Sequence, residues 1–375
     1  MSALLKSKLH FKIVKEDLLQ SLVYINNIIE KRQSIIVLSC VKIEAKDKVI
    51  SLTATDLDIS IVACVNANVL SDGVVVTSAQ LLYDIVKKLS NNVEIAFENK
   101  NGKLVIECEN AKFSLHVVDP GKFPIIENNE LEHKFSLKIG VLIELLSKTK
   151  FAMSVEESRY NLNGVYLHVN NNALCCVATD GHRLSLMQTD ISNEFFDFGI
   201  IIPRKTVNEI LKIISHSNDV DKVALISLSQ RKICFQYQDY VVTSKVIDGV
   251  FPDYKPIIPQ FEGKHIFMES EVLLSAIDRV SVIVFDKVKV IKLSFTYNKL
   301  LISSASSDQG DATEELDVDY VGEDIVIGLN ARYIMEVLYC IKKKCKLTFH
   351  DNSTAVVIQD QDVERALYII MPMRM

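Results

Sequence analysis

Apolar residues along this 375-residue chain follow two periods in turn, and the succession itself recurs. HFKIVKEDLLQSLVYINNII near residue 10, KFSLKIGVLIELLSKTKFAM near 134 and HIFMESEVLLSAIDRVSVIV near 265 each pass from strict alternation into a 3.6-residue period. That is the pattern of a strand feeding an amphipathic helix. Further on, each third has a second such unit: GVVVTSAQLLYDIVKKL, GIIIPRKTVNEILKII and DIVIGLNARYIMEVLYCI. Between the two units lies a variant of one turn, TATDLDISI, VATDGHRLSLMQ or SSASSDQGDATEEL, in which Asp56, Asp180 and Asp308 stand 124 and 128 residues apart. A period of that size is too long for a solenoid and matches a whole small domain. The chain therefore reads as one fold written three times, with thirds at 1–130, 131–258 and 259–375.

The pattern predicts six helices, at roughly 16–31, 79–88, 138–150, 203–216, 270–282 and 330–344. Leu18, Leu22, Ile25 and Ile29 fall on one face of the first. Leu82, Ile85, Val86 and Leu89 do so in the second, Val207, Ile210, Leu211 and Ile214 in the fourth, and Ile334, Val337, Leu338 and Ile341 in the last. Each helix has a single apolar stripe, so each packs on a sheet and keeps its other face wet. Segments such as KFSLHVV, KICFQYQDYVVTSKVI and LTATDLDISIVACV alternate or run continuously apolar, as antiparallel strands do. The fold class is α+β, with two helices packed on antiparallel sheets in each third.

Hydrophobic content of 49% with 24% charge suits a soluble globular protein. No apolar run reaches 18 residues and MSALLKSKLH has no apolar core followed by a cleavage site, so the expected location is the cytoplasm. The eight cysteines (Cys40, Cys64, Cys108, Cys175, Cys176, Cys234, Cys340, Cys345) are scattered through strand patterns without CxxC or histidine pairing, and read as small core residues. A net charge of -6 argues against a nucleic-acid partner. Yet the six predicted helices hold 14 Lys or Arg against 9 Asp or Glu. The negative balance then falls on strands and loops, and the wet helix faces, with Lys87, Lys88, Lys148, Lys150, Arg204, Lys205, Lys212, Arg279, Arg332, Lys342, Lys343 and Lys344, form a basic surface. Solubility alone is the other reading of such lysines.

Five strings, SRYNLNGVYLHV, VATDGHRLSL, IIPRK, SKVIDGVFPDY and the C-terminal YIIMPMRM, go further. In order, spacing and placement they resemble the bacterial DNA polymerase III beta subunits, the replicative sliding clamps, and the likeness extends over almost the whole chain. The resemblance implies three tandem DNA-clamp domains forming half of a closed ring. It implies a head-to-tail homodimer around duplex DNA that tethers the polymerase without catalysis, cofactor or metal. The partners implied are the replicative polymerase catalytic subunit, the clamp loader, repair polymerases and mismatch-repair proteins, each presenting a short apolar peptide.

On the family's pattern the peptide cleft is Leu162, Thr179, Gly181, His182, Arg183, Leu184, Pro252, Ile257, Asn330, Tyr333, Ser353 and the tail Ile369, Ile370, Met371, Pro372, Met373 and Arg374. The other reading of the tail is a strand that completes the last sheet. For DNA contact the resemblance points to Arg32, to Arg159, Tyr160 and Asn161, and to Arg204 and Lys205, whose place at a helix start opposes the macrodipole and suits an external anion. Phe113 and Leu115, with Val282 and Ile283, are the implied ring-closing residues. The chain departs from the family at Gln80 and Leu81, which replace a basic pair, and at Pro256 and Val288 on the cleft margin, where peptide preference would change.

Two other classes stay open at this level. A non-ring DNA-binding scaffold could use the same basic helices, and Asp180 with His182 could suggest metal-dependent hydrolysis. The latter signal is weak, since D-G reads first as a turn and the third copy of the turn has no histidine.

Overall fold

The computed structural model describes residues 8–29, 35–126, 131–191, 197–217, 219–260, 263–285, 289–306 and 309–374. The first third runs β1 (His10–Val14), α1 (Lys15–Ile28), β2 (Cys40–Lys46), β3 (Val49–Thr55), β4 (Ile59–Asn66), β5 (Asn68–Ser71), β6 (Gly73–Ser78), α2 (Ala79–Lys88), β7 (Glu94–Lys100), β8 (Lys103–Cys108) and β9 (Ala111–Val118). The second runs β10 (His133–Lys138), α3 (Ile139–Ser147), β11 (Gly164–Asn170), β12 (Ala173–Thr179), β13 (Arg183–Asp190), β14 (Gly199–Pro203), α4 (Arg204–Ser215), β15 (Val223–Leu228), β16 (Lys232–Tyr237) and β17 (Tyr240–Lys245). The third runs β18 (Lys264–Glu269), α5 (Ser270–Ser281), β19 (Val290–Thr296), β20 (Lys299–Ser306), β21 (Gly310–Asp317), β22 (Ile325–Asn330), α6 (Ala331–Leu338), β23 (Lys344–Phe349), β24 (Val356–Asp360) and β25 (Val363–Ile370).

The chain divides into two compact units, one of residues 1–140 and 205–246, the other of 141–204 and 247–375. The first unit holds a 13-stranded antiparallel sheet in the order β10-β15-β16-β17-β4-β3-β2-β6-β9-β8-β7-β1-β5. The second holds an eight-stranded sheet, β14-β11-β12-β13-β25-β24-β23-β18, and a four-stranded one, β21-β20-β19-β22. One rule joins the thirds. In the first unit β4 pairs with β17, Ile59 opposite Ser244; in the second β13 pairs with β25, Arg183 opposite Ile370. The fourth strand of one third thus pairs with the last strand of the next. By position β21 is the third such donor edge and β9 the third acceptor. Among the described residues β21 pairs as a strand only with β20, and residues 111–116 of β9 pair as a strand only with β8.

Six helices occupy the predicted segments, and their apolar stripes face inward: Leu18, Leu22 and Ile25 in α1, Val207, Ile210, Leu211 and Ile214 in α4, and Ile334, Val337 and Leu338 in α6 are buried. Ile28 rather than Ile29 completes the α1 stripe, because the helix ends there and Ile29 is extended at φ -75°, ψ 127°. Ser78 caps α2 and Asn330 caps α6, their side-chain oxygens accepting from Leu81 N and Arg332 N.

The expected charge of the helices needs correction. Within their observed bounds basic and acidic residues are equal in number. The excess came from flanking positions: α6 stops at Leu338, so Lys342 and Lys343 follow it and Lys344 opens β23, while Lys148 and Lys150 lie beyond α3. Lys148 hardly faces water. It is 7% exposed, with Nζ 3.6 Å from Asp360, itself buried.

Candidate functional site

The turn between β12 and β13 is built from its own side chains. Asp180 Oδ1 accepts from the backbone N–H of His182 (2.9 Å) and Arg183 (3.1 Å), while Thr179 Oγ1 accepts from Gly181 N (3.1 Å) and donates to Arg183 O (2.6 Å). Asp and Thr favour turns through this kind of local bonding. Gly181 takes φ +89°, open to a residue without Cβ. The sister turn between β3 and β4 repeats all four bonds: Asp56 Oδ1 with Asp58 N and Ile59 N, Thr55 Oγ1 with Leu57 N and Ile59 O. Leu57 stands where Gly181 does, at φ +82°. The turn chemistry thus dictates the backbone in both copies, even against about 1 kcal/mol of strain at a leucine.

The two aspartates differ in what their second oxygen holds. Asp56 Oδ2 receives Lys205 Nζ at 2.6 Å, whereas Asp180 Oδ2 receives Arg183 Nε at 3.0 Å. Arg183 is buried, its Nη1 donating to Glu336 Oε2 and its Nη2 to Phe151 O at 2.6 Å. The guanidinium face lies over the Tyr333 ring at 4.2 Å and that of Phe151 at 5.3 Å. One side chain therefore ties β13 to α6 and to the 150–152 turn. The exposed His182 gives its carbonyl to Met371 N (2.9 Å), and Met373 N reaches Gly328 O (2.8 Å), so the tail beyond β25 is held on both sides.

Beneath this turn Leu162, Leu184 and Ile369 join Val177, Ile201, Phe251, Tyr254 and Ala355 in one buried cluster. Pro252, Ile257 and Met371 are exposed beside it in the chain, and Ile370 is fully buried. Ser353 sits in a turn whose Asp351 accepts from the backbone of Ser353 and Thr354, which holds that carboxyl down to about 2. An apolar floor with an exposed apolar margin and a few fixed polar groups can seat a short hydrophobic segment. Phe251, Tyr254, Phe151 and Glu336 are the parts sequence reasoning missed. The first two were legible in DGVFPDY as aromatics flanking Pro252. Nothing local marks the others as partners of Arg183.

The floor is backed by a stack in which Tyr166 lies 4.8 Å from Phe251 and 4.5 Å from His168. His168 Nδ1 faces Val169 O at 3.2 Å and Nε2 meets Tyr254 OH at 3.0 Å. The carbonyl requires Nδ1 to donate, and in the neutral ring, the form that burial favours, Nε2 accepts from the Tyr254 hydroxyl. Burial, with Lys255 nearby, lowers the His168 pKa below its ordinary 6.5. The folded state therefore binds fewer protons than the unfolded one, and the stability this group contributes is full above pH 6.5 and is lost as pH falls toward the depressed value. The urea midpoint should drop between pH 7.5 and 5, and His168→Gln should shrink that drop. An identical drop in the variant would exclude His168 as its source.

Residues 9–127, 136–253 and 255–374 match the family models of the N-terminal, central and C-terminal domains of the DNA polymerase III beta subunit. The beta sliding clamp of Caulobacter vibrioides is 33% identical over 371 residues, covering 96% of this chain and 99% of its own. That of Pseudomonas aeruginosa is 32% identical, covering 98% and 100%. The chain belongs to the DNA polymerase III beta subunit family. A solved Caulobacter crescentus clamp superposes with a TM-score of 0.94 at 32% identity, over 99% of this chain and 100% of that one, so three tandem clamp domains are the fold and a sliding clamp of DNA replication is the role. A Pseudomonas aeruginosa clamp solved bound to griselimycin matches with a TM-score of 0.93 at 31% identity, covering 98% and 100%.

Arg32 and Val288 lie outside the described residues. Arg159 reaches Asp180 O (3.2 Å) and Glu156 (3.3 Å), Asn161 Nδ2 donates to Val250 O (2.9 Å), and Tyr160 is exposed. Arg204 is half-buried, with Nη2 3.4 Å from Met153 O, and burial lowers its pKa. Lys205 has an internal anion, Asp56, in place of the external one the helix start suggested, and also donates to Ile28 O (2.7 Å). Gln80 is turned onto Asp84, Leu81 is exposed, and Pro256 is exposed beside Ile257. Phe113 and Leu115 sit on the open stretch of β9, and Phe113 lines a groove of about 640 Å³ with Leu81, Ile85 and Leu89. Val282, just past α5, is exposed and Ile283 half-buried. No described helix is long and apolar enough to cross a membrane.

Proposed function

We propose that two copies of this chain close head to tail into a ring around duplex DNA. The ring is a non-catalytic, cytoplasmic processivity subunit of the polymerase III holoenzyme. It holds the replicative polymerase, the clamp loader and repair proteins through a short apolar peptide seated over Leu162, Leu184 and Ile369. The observation that carries the reading is the strand rule. Among the described residues β21 and β9 are one donor edge and one acceptor edge without a partner strand, so a second copy would satisfy both edges of each protomer. A heterologous contact that closes in this way makes a ring rather than a filament. Charge agrees, with Asp311, Glu314, Glu315 and Asp317 along β21 and Lys112 along β9, where Glu314, Glu315 and Lys112 also meet Arg279, Lys299 and Glu107 of their own chain. Griselimycin bound to related clamps supports a ligand-accepting surface here.

The neutral balance of the helices bears on how DNA is held. Helices without net positive charge mean little counterion release and weak phosphate attraction. Retention must then come from enclosure. After loading, the protein should stay on nicked circular DNA at high salt and leave once the circle is cut. Equal retention on circular and linear DNA would instead point to an open, non-ring scaffold.

A further inference from the structure

The strand leading into the first helix of each third meets a different fate in each. In the first third β5 lies on the outer edge of β1, with His10 opposite Ser71, Phe11 opposite Val69 and Lys12 opposite Asn68. In the second, β10 ends its sheet, and its exposed face presents Lys134, Ser136 and Lys138. Lysines at an edge discourage pairing with another chain. In the third, β18 also ends its sheet, but the corresponding positions are His265, Phe267 and Glu269, and Phe267 is 45% exposed. Ser270 N donates to Lys343 O at 2.7 Å, which sets the phase of the β18–β23 ladder. Antiparallel pairing alternates, so the backbone N–H and C=O groups of His265, Phe267 and Glu269 point away from β23. Among the described residues no strand takes them up.

The segment that corresponds to β5 does not pair with this edge as a strand, and it meets β18 at its first residue, where Lys264 Nζ donates to Glu323 O (3.5 Å). After β21 the chain turns onto Asn298 instead, through Val318 N to Asn298 O (3.1 Å) and Asn298 N to Tyr320 O (3.0 Å). A groove of about 690 Å³ remains between β18 and that segment, with Phe267 and Val272 as apolar surface and Asp317, Asp319 and Glu269 as acidic wall. Among the described residues the one ion pair of Lys344 is with Glu269, at 3.8 Å.

We infer that this groove is a second docking site, separate from the cleft at Arg183, and that it takes an extended segment of a partner protein as an added strand on β18. The occupant alternates, with one side chain on Phe267 and Val272 and with Lys or Arg toward Asp317 and Asp319. The first third supplies the template, since β5 fills the same place on β1. Main-chain bonds give such a strand its affinity and the flanking pockets its selectivity. The acidic wall selects against a second copy of this chain, which would bring the same aspartates.

The probe is a fluorescent peptide with the β5 sequence Asn-Val-Leu-Ser flanked by lysines, titrated onto the full-length protein. Anisotropy should show saturable binding, and amide exchange at Phe267 and Glu269 should slow on addition. Phe267→Lys, which copies the blunted edge of β10, should weaken binding at least tenfold, and so should Asp317→Asn with Asp319→Asn. A probe N-methylated on alternate residues should bind no better than Phe267→Lys allows. Absent binding at millimolar peptide, or equal binding by the methylated probe, overturns the assignment. So does a change of mass in solution on Phe267→Lys without peptide, which would give the edge to a second copy.

Discussion

If two copies close into the proposed ring, Phe113→Glu should turn the dimer into a monomer in sedimentation and abolish retention on nicked circular DNA. Phe113 lies on the stretch of β9 that, among the described residues, pairs as a strand only with β8, beside a groove lined by Leu81, Ile85 and Leu89. If β21 of a partner copy covers this edge, a carboxylate there is desolvated next to a strand already carrying Asp311, Glu314 and Glu315. Stranding one buried charge costs about 3 kcal/mol or more, roughly a hundredfold in dissociation constant per interface. A head-to-tail dimer contains the contact twice, so the loss compounds. Lys112→Glu, at a more exposed position, should weaken the dimer less and in a salt-dependent way. A Phe113→Glu protein that remains dimeric would remove β9 from the interface.

Arg183→Ala should lower unfolding stability by about 3–5 kcal/mol, because it leaves two carboxylates facing a site built around one guanidinium. Asp180 Oδ2, Glu336 Oε2 and Phe151 O all lose their donor, and the rings of Tyr333 and Phe151 lose the cation between them. Arg183→Met, which retains most of the apolar stem, should remain several kcal/mol destabilised for the same reason. Adding Glu336→Gln to Arg183→Met should recover part of the loss, since a neutral amide is cheaper to leave half-satisfied. Urea denaturation of the two single variants and the double variant measures the coupling. Strict additivity would mean that Arg183 and Glu336 do not act as a pair. Binding of an apolar partner peptide should weaken in step, because the tail that flanks the cluster hangs on the carbonyl of His182 next door.

How far the site was readable depends on which residues carry it. The turn at Thr179, Asp180, Gly181 and Arg183 was legible as a turn, because its side chains bond to their own backbone and the second copy at Thr55 to Ile59 repeats the bonds atom for atom, while its place in a cleft came from the family's strings. Leu162, Leu184 and Ile369 were legible only through the family's strings, since a buried leucine in one strand looks like any other. Phe151 and Glu336 were not legible at all. They meet Arg183 from 32 and 153 residues away, and nothing in their own neighbourhood requires it.

The same division runs through the helices. Periodicity located all six, because burying one face of a 3.6-residue repeat is a local demand that each segment states for itself. It overran α6, since Ile341 keeps the helical phase and is buried from a turn after the helix has ended. Charge was misjudged for a deeper reason. Whether a lysine faces water or a carboxylate is settled by partners distant in sequence, as with Lys148 and Asp360 or Lys205 and Asp56. The triple copy, its strands and its helices were thus determined by the residues alone, through short-range patterns of burial. Which cations are spent inside the molecule, and which sheet edges stay open, was decided only when segments more than a hundred residues apart were brought into contact.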